Sequence, residues 1–254
     1  MQKLLAFGIL ASVKTLSHLF YRGQFKWISA APKNPWVDAK LIVFLNHTSL
    51  YEPLFIQHLS WPFLWKIVSR VNVPGADITL NRRFVGRFWK LMLPNISSVT
   101  RKKDESWSHY LNSIRSDSII MIAPEGRMKR PNGLDKYGKP MTVKGGVADI
   151  LEKLDEGGMI LCLSGGLHHV QAPGEIVPSI FKSIHMNLAY IDIKEYKAQF
   201  SELSPRERKL KITQDLQQQL ETKCPVNLRT SNKLSSSQNE KGQKPVTAMG
   251  AHTE

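Results

Sequence analysis

A chain of 254 residues can bury one large core or two small ones, and 42% hydrophobic residues exclude a wholly disordered chain. Its 35 Lys and Arg against 21 Asp and Glu leave a formal charge of +14, which calls for an anionic partner, either nucleic acid or an anionic membrane surface. Cys162 lies in an apolar run and Cys224 in a polar stretch, without metal-ligand spacing. Neither a structural disulfide nor a metal site is expected, and a reducing cytoplasm is the default compartment.

The chain opens with MQKLLAFGILASVKTLSHLF. Its apolar core, Leu4 to Val13, is about half of the roughly 20 residues that a membrane-spanning helix needs. The following KTLSHLFYRGQ offers no convincing cleavage site for a signal peptide. With Lys3, Lys14 and Arg22 near the edges and Phe7, Leu10, Leu16 and Phe20 on an apolar face, residues 1–30 describe an interfacial helical segment. A core helix packed on the domain fits the same pattern. Trp27, Trp36, Trp61 and Trp65 follow, and they favour the membrane.

From residue 31 to 225 the chain reads as one domain. Apolar, β-rich runs recur at 41–46 (LIVFLN), 118–124 (SIIMIAP), 158–165 (GMILCLSG) and 184–193 (IHMNLAYIDI). Helical spacing lies between the first three. SLYEPLFIQHL puts Leu50, Leu54 and His58 on one face, and DESWSHYLNSIRS starts at a cap, Asp104, with Trp107, Leu111 and Ile114 in period. GGVADILEKLDEGG spaces Val147, Ile150, Leu151 and Leu154 likewise and stops at Gly157-Gly158. Strands alternating with helices predict an α/β fold, a single mixed or mostly parallel sheet flanked by helices. Residues 226–254 carry almost no large apolar side chains and read as a disordered tail.

Three stretches carry chemistry. FLNHTSLYEP (44–53) ends the first strand with a histidine, hydroxyls and a glutamate. A carboxylate on one ring nitrogen would leave the other free to take a proton from a hydroxyl. His47 and Glu52 meet only if His47 precedes a helix and Glu52 folds back from its first turn. Ser49 to Glu52 is equally a capping box, so Glu52 has a purely structural reading beside the catalytic one. IAPEGRMKR (122–130) ends another strand, with Gly126 permitting close backbone approach and Arg127, Lys129 and Arg130 able to hold an anion. Between them, Lys66 to Lys103 holds nine Lys and Arg against one acid, Asp77, with Phe84, Phe88 and Trp89 interleaved. Nucleic acid and lipid headgroups would both suit that surface.

Order and combination narrow the choice. Over roughly residues 40 to 195 the chain resembles the glycerolipid acyltransferase superfamily, whose archetype is the bacterial 1-acylglycerol-3-phosphate acyltransferase. NHTSLYE matches that family's first motif, N-H-x-S-x-x-D, at Asn46, His47 and Ser49, with Glu52 in place of the aspartate. Arg101 stands where the second motif ends. IAPEGRM keeps Pro124, Glu125 and Gly126 of F-P-E-G-T-R-S, with Arg127 one place early. TVKGGVADIL supplies Lys144 and Gly145, while MILCLSGGL lacks the proline of the fourth motif.

The resemblance implies acyl transfer from acyl-CoA or an acyl carrier protein to the hydroxyl of a lysophospholipid, without cofactor, metal or covalent acyl-enzyme. It makes His47 the base and Glu52 its orienting carboxylate. Asn46, Ser49, Arg101, Glu125, Gly126, Arg127 and Lys144 become substrate-binding residues. It also implies an enzyme at the cytoplasmic face of an anionic membrane, peripheral or monotopic. Nucleic acid is left with charge alone as its support. A lyso-aminolipid, a glycolipid or glycerol 3-phosphate as acceptor, or an inactive membrane-associated homologue, fits the same motifs. Glu52 is longer than aspartate by a methylene, about an ångström of reach, which a slack loop would absorb.

Overall fold

The computed structural model describes residues 1–225 except 101, 103 and 176. The expected tail, 226–254, and the expected anion ligand Arg101 lie outside the described residues.

Helix α1 (Gln2–Phe20) leads directly into edge strand β1 (Tyr21–Trp27), so part of the segment assigned to the N-terminal helix is sheet. β2 (Ala39–Leu45) is followed by a 3-10 helix, Glu52–His58, and by α2 (Trp61–Arg70), capped by Ser60. Then come β3 (Val71–Ala76), α3 (Asp77–Leu80), α4 (Val85–Met92) and β4 (Ile96–Val99). α5 (Ser106–Asn112), β5 (Ile119–Ile122), α6 (Gly146–Glu152) and β6 (Gly158–Ser164) repeat the alternation. β7 (Lys182–Asp192), α7 (Ile193–Ala198) and α8 (Pro205–Lys223) complete the domain, the last opened by a capping box between Ser204 and Glu207.

The strands form one seven-stranded sheet in the order β1-β7-β6-β2-β5-β3-β4. Every neighbouring pair is parallel except β6 with β7. The sheet is therefore mixed and mostly parallel, as the alternation predicts.

Period-two alternation divides the core into two layers. Leu41, Val43 and Leu45 of β2, with Met159, Leu161 and Leu163 of β6, face α6, α7 and α8. There Ile212, Leu216 and Leu220 form an i, i+4 stripe, each side chain worth about 1.5–3 kcal/mol when buried. Ile42, Ile160 and Cys162 face the other way, into the layer built by α1, the 3-10 helix and α2. α4 packs on α1 in that layer. Its close approach to α3 depends on Gly86, where an added Cβ would lie 2.0 Å from the Leu80 carbonyl oxygen.

α1 spans 19 residues, more than its apolar core suggested, and is long and apolar enough by length and composition to cross a membrane. In the fold it lies along the domain. Its buried positions are Ala6, Leu10, Lys14 and Ser17, whereas Leu4, Leu5, Leu16 and Leu19 are exposed. The polar groups on the inner face have partners. Lys14 Nζ donates to the Gln57 and Leu59 carbonyls, and Ser17 Oγ donates to the Leu54 carbonyl at 2.6 Å. These polar groups pin the helix to the 3-10 segment beside the apolar contacts of Ala6 and Leu10.

Candidate active site

β2, β5 and β6 run parallel and adjacent, so their carboxyl ends open on one edge of the sheet, where α/β folds place ligands. The three segments that leave those ends hold one another. Asn46 turns the chain out of β2 at φ 66°, a left-handed conformation that asparagine tolerates better than most residues. Its amide Nδ2 donates to the Ser164 carbonyl at 2.8 Å, and its backbone N–H donates to Glu125 Oε1 at 2.6 Å. The His47 N–H reaches the same oxygen at 3.4 Å, and the Lys129 N–H donates to the His47 carbonyl at 2.7 Å. The Leu167 N–H donates to Thr48 Oγ1 at 2.8 Å, and Ser49 Oγ donates to Gln171 Oε1 at 2.8 Å. Each residue from 46 to 49 is fixed by a chain segment remote in sequence.

On this frame the expected fold-back occurs. His47 Nδ1 lies 2.6 Å from Glu52 Oε2, and Glu52 Oε1 accepts the Thr48 N–H at 2.9 Å. The capping box expected at Ser49 does not form. The segment starts as a 3-10 helix behind Tyr51 without a side-chain cap, and Ser49 Oγ instead accepts the Tyr51 N–H at 3.2 Å. Glu52 therefore closes the turn from its own end, with one oxygen for the backbone and one for the imidazole. The two side chains are 21% and 13% exposed. Burial disfavours the imidazolium, but the Glu52 charge, its hydrogen bond and the more distant Glu125 outweigh it, so the His47 pKa is raised. With Nδ1 held by the carboxylate, Nε2 is the nitrogen that can accept a proton.

The remaining predicted residues fall into two groups. Asn46, Ser49 and Glu125 are buried and form the frame. Glu125, expected against the acceptor, is 3% exposed and sits beneath the backbone of the His47 loop. Its Oε2 has no hydrogen-bond partner among the described residues. Burial pushes its carboxyl pKa up to about 7, against the opposing pull of the Asn46 N–H and the His47 charge. His47, Glu52, Gly126, Arg127 and Lys144 instead line a common cavity. Gly126 takes φ 69°, which glycine adopts without strain. Arg127 is paired with Asp135, its guanidinium 4.7 Å from the Tyr137 ring centre, and Lys144 donates to Thr142 Oγ1 at 2.7 Å.

The cavity has a volume of about 750 Å³ and a mostly apolar wall. It takes in Val73 to Ala76 of β3 at one side of the sheet and Phe25 of β1 at the other, with Leu10 and Trp36 nearby. Those strands are five spacings apart, roughly 24 Å at ~4.8 Å each. The arrangement suits an extended hydrocarbon chain lying across the sheet, with a base and cations at the strand ends.

Several residues of the frame had no sequence signal tied to His47. Lys129 and Gln171 bind the loop directly, and His168 Nε2 lies 2.6 Å from the Lys129 carbonyl oxygen while only 3% exposed. The SGGLHH run at the end of β6 repeats the strand-end pattern of the first two motifs and could have marked this segment. Lys102 joins Arg127 and Lys144 on the cavity wall.

Among solved structures, the chain is similar to the 1-acyl-sn-glycerophosphate (LPA) acyltransferase PlsC of Thermotoga maritima. The match has 15% identity and a TM-score of 0.48, covering 84% of this chain and 80% of that one. No curated protein sequence matches it. A family model described as Acyltransferase matches residues 25–180, which is more than half of the chain and includes the His47–Glu52 pair, the Glu125 segment and β6. The chain belongs to the acyltransferase family.

Proposed function

We propose that this acyltransferase moves a fatty acyl group from a thioester, acyl-CoA or acyl carrier protein, to the hydroxyl of a lysophospholipid such as 1-acylglycerol 3-phosphate. The observation that carries this reading is the His47–Glu52 pair, 2.6 Å apart, on the wall of an apolar cavity of about 750 Å³. His47 Nε2 takes the proton of the acceptor hydroxyl as its oxygen attacks the thioester carbonyl carbon. The imidazolium that forms is stabilised by Glu52. The C–S bond then breaks, and the departing thiolate recovers the proton from His47. No acyl group is attached to the protein at any stage.

The acyl chain occupies the apolar cavity, and Arg127, Lys144 and Lys102 on the same wall attract the anionic head of the acceptor or the phosphates of the donor. The exposed leucines of α1 support a location on an anionic membrane, where a lysolipid resides. Leu4, Leu5, Leu16 and Leu19 stay outside while Lys14 and Ser17 are buried beside Ala6 and Leu10, a distribution that supports contact of the outer leucines with hydrocarbon.

Purified His47→Ala protein, assayed by lipid mass spectrometry with a labelled acyl thioester and a panel of lysolipids, should lose transfer while keeping its circular dichroism and melting transition. Transfer at the wild-type rate by the folded variant would refute the mechanism.

A further inference from the structure

The α3–α4 hairpin forms an outer flap over the cavity. Its inner side chains, Thr79, Leu80, Trp89 and Met92, belong to the cavity wall. Its outer side is built differently. Phe84, at the apex, is 81% exposed, and Ile78 and Phe88 are also exposed. Arg82, Arg83, Arg87 and Lys90 surround them, all exposed, with the Arg83 guanidinium 5.7 Å from the Phe84 ring centre. Neither Phe84 nor Phe88 contributes to the cavity wall, so their exposure serves neither the core nor the bound chain.

We propose that this hairpin inserts its apex into an anionic bilayer and forms the portal through which the lipid acceptor passes from the membrane into the cavity. The proposal rests on the lipid-acceptor reading and adds the element that meets the lipid. An apolar tip ringed by guanidinium groups matches a bilayer in depth, with hydrocarbon below and phosphates at the level of the cations. An acidic protein surface would pair with the arginines but would bring its carboxylates against Phe84. Continuity points the same way. α4 packs on α1, whose outward Leu4, Leu5, Leu16 and Leu19 extend the apolar surface. Trp61 and Trp65 of α2, exposed beside Phe7, add aromatic groups of the kind that settle at headgroup level. A lysolipid crossing this flap would enter a cavity lined by the flap's own inner face without passing through water.

Sedimentation with phosphatidylcholine vesicles, with and without phosphatidylglycerol, tests the assignment. Wild-type protein should bind the anionic vesicles. The Phe84→Ser/Phe88→Ser variant should bind them about tenfold or more weakly, as expected from withdrawing two phenyl groups from hydrocarbon. Its turnover of a short-chain, water-soluble thioester and acceptor should be unchanged. Arg83→Gln/Arg87→Gln should remove most of the preference for phosphatidylglycerol and flatten the salt dependence. Wild-type protein that binds neither vesicle would overturn the membrane reading and the portal together. Wild-type binding matched by the Phe84→Ser/Phe88→Ser variant would overturn the portal alone. So would unchanged vesicle binding with lost affinity for acyl carrier protein, because the surface would then belong to an acidic protein partner.

Discussion

Replacing Glu52 by aspartate removes one methylene, about an ångström of reach. With the backbone unmoved, the 2.6 Å contact to His47 Nδ1 opens to about 3.6 Å, beyond hydrogen-bond range. The backbone has little room to follow. Glu125 holds the Asn46 and His47 N–H groups, Lys129 holds the His47 carbonyl, and Leu167 holds Thr48. Two independent magnitudes agree on the consequence. A hydrogen bond to a charged group is worth about 1.5–3 kcal/mol, or roughly 10- to 150-fold in rate when the imidazolium of the transition state loses it. A misplacement of about 1 Å in a catalytic group costs on the order of 100-fold. Glu52→Asp should therefore lower kcat about 10- to 100-fold while the protein stays folded.

Glu52→Gln separates charge from shape. The carboxylate raises the His47 pKa, so its neutral replacement lowers it. The base must be unprotonated to act, so the acidic limb of the kcat/KM profile should move to lower pH as the plateau falls. Turnover of a labelled acyl thioester across pH, with thermal melts of each variant, checks both statements. Wild-type kcat in folded Glu52→Asp, or an acidic limb displaced upward in Glu52→Gln, would refute the assignment of His47 as a base oriented by Glu52.

Glu125→Gln should change how stability depends on pH. The folded-state pKa of about 7 lies above the ordinary carboxyl value of 4.5, so this group's stabilisation is full below about pH 4.5 and is lost as pH rises through 7. By pH 8 the loss is on the order of 3 kcal/mol relative to acid. The denaturant stability of Glu125→Gln should fall less steeply across that window, and parallel curves would contradict the buried-carboxylate account. Lys14→Met should lose about 1–3 kcal/mol by leaving the Leu59 carbonyl without the Lys14 donor and weakening the hold on Gln57, lowering the melting temperature by roughly 2–4 °C per kcal/mol. An unchanged melt would mean that α1 is not fastened through Lys14.

Much of the architecture was legible because buried strands of this kind are continuous apolar runs. β2, β5 and β6 coincide with such runs, and β7 falls on the alternating run at 184–193. β1 and β3 were not legible for the converse reason. YRGQFKW is an edge strand exposed along much of its length, and VNVPGA carries a proline and a glycine that argue against a strand. The segment after His47 had helical spacing, yet Pro53 and the short span leave a 3-10 helix. In the site, residue types were readable and depth was not. Glu125 and Arg127 are neighbours in one motif, but one lies under the His47 loop and the other on the cavity wall. Only the crossing of three strand ends decides which is which. Lys14 was equally opaque, since a lysine at a helix edge gives no warning that it will be buried against carbonyls.

The glutamate at position 52 makes both contacts that the sequence left as alternatives, one to the backbone of the turn and one to His47. Its carboxylate accepts a backbone N–H with one oxygen and holds the imidazole with the other. The two roles cannot be separated by deleting the side chain, because the turn and the orientation of His47 rest on the same group. Nor is the extra methylene surplus length. The segment begins at Glu52 itself, with Pro53 fixing the backbone that follows, and the carboxylate must reach back four residues to Thr48 and five to His47. From that start a shorter side chain satisfies one partner at most. The longer acid therefore belongs to this loop's geometry, and an aspartate would require the chain to enter its helix nearer to His47.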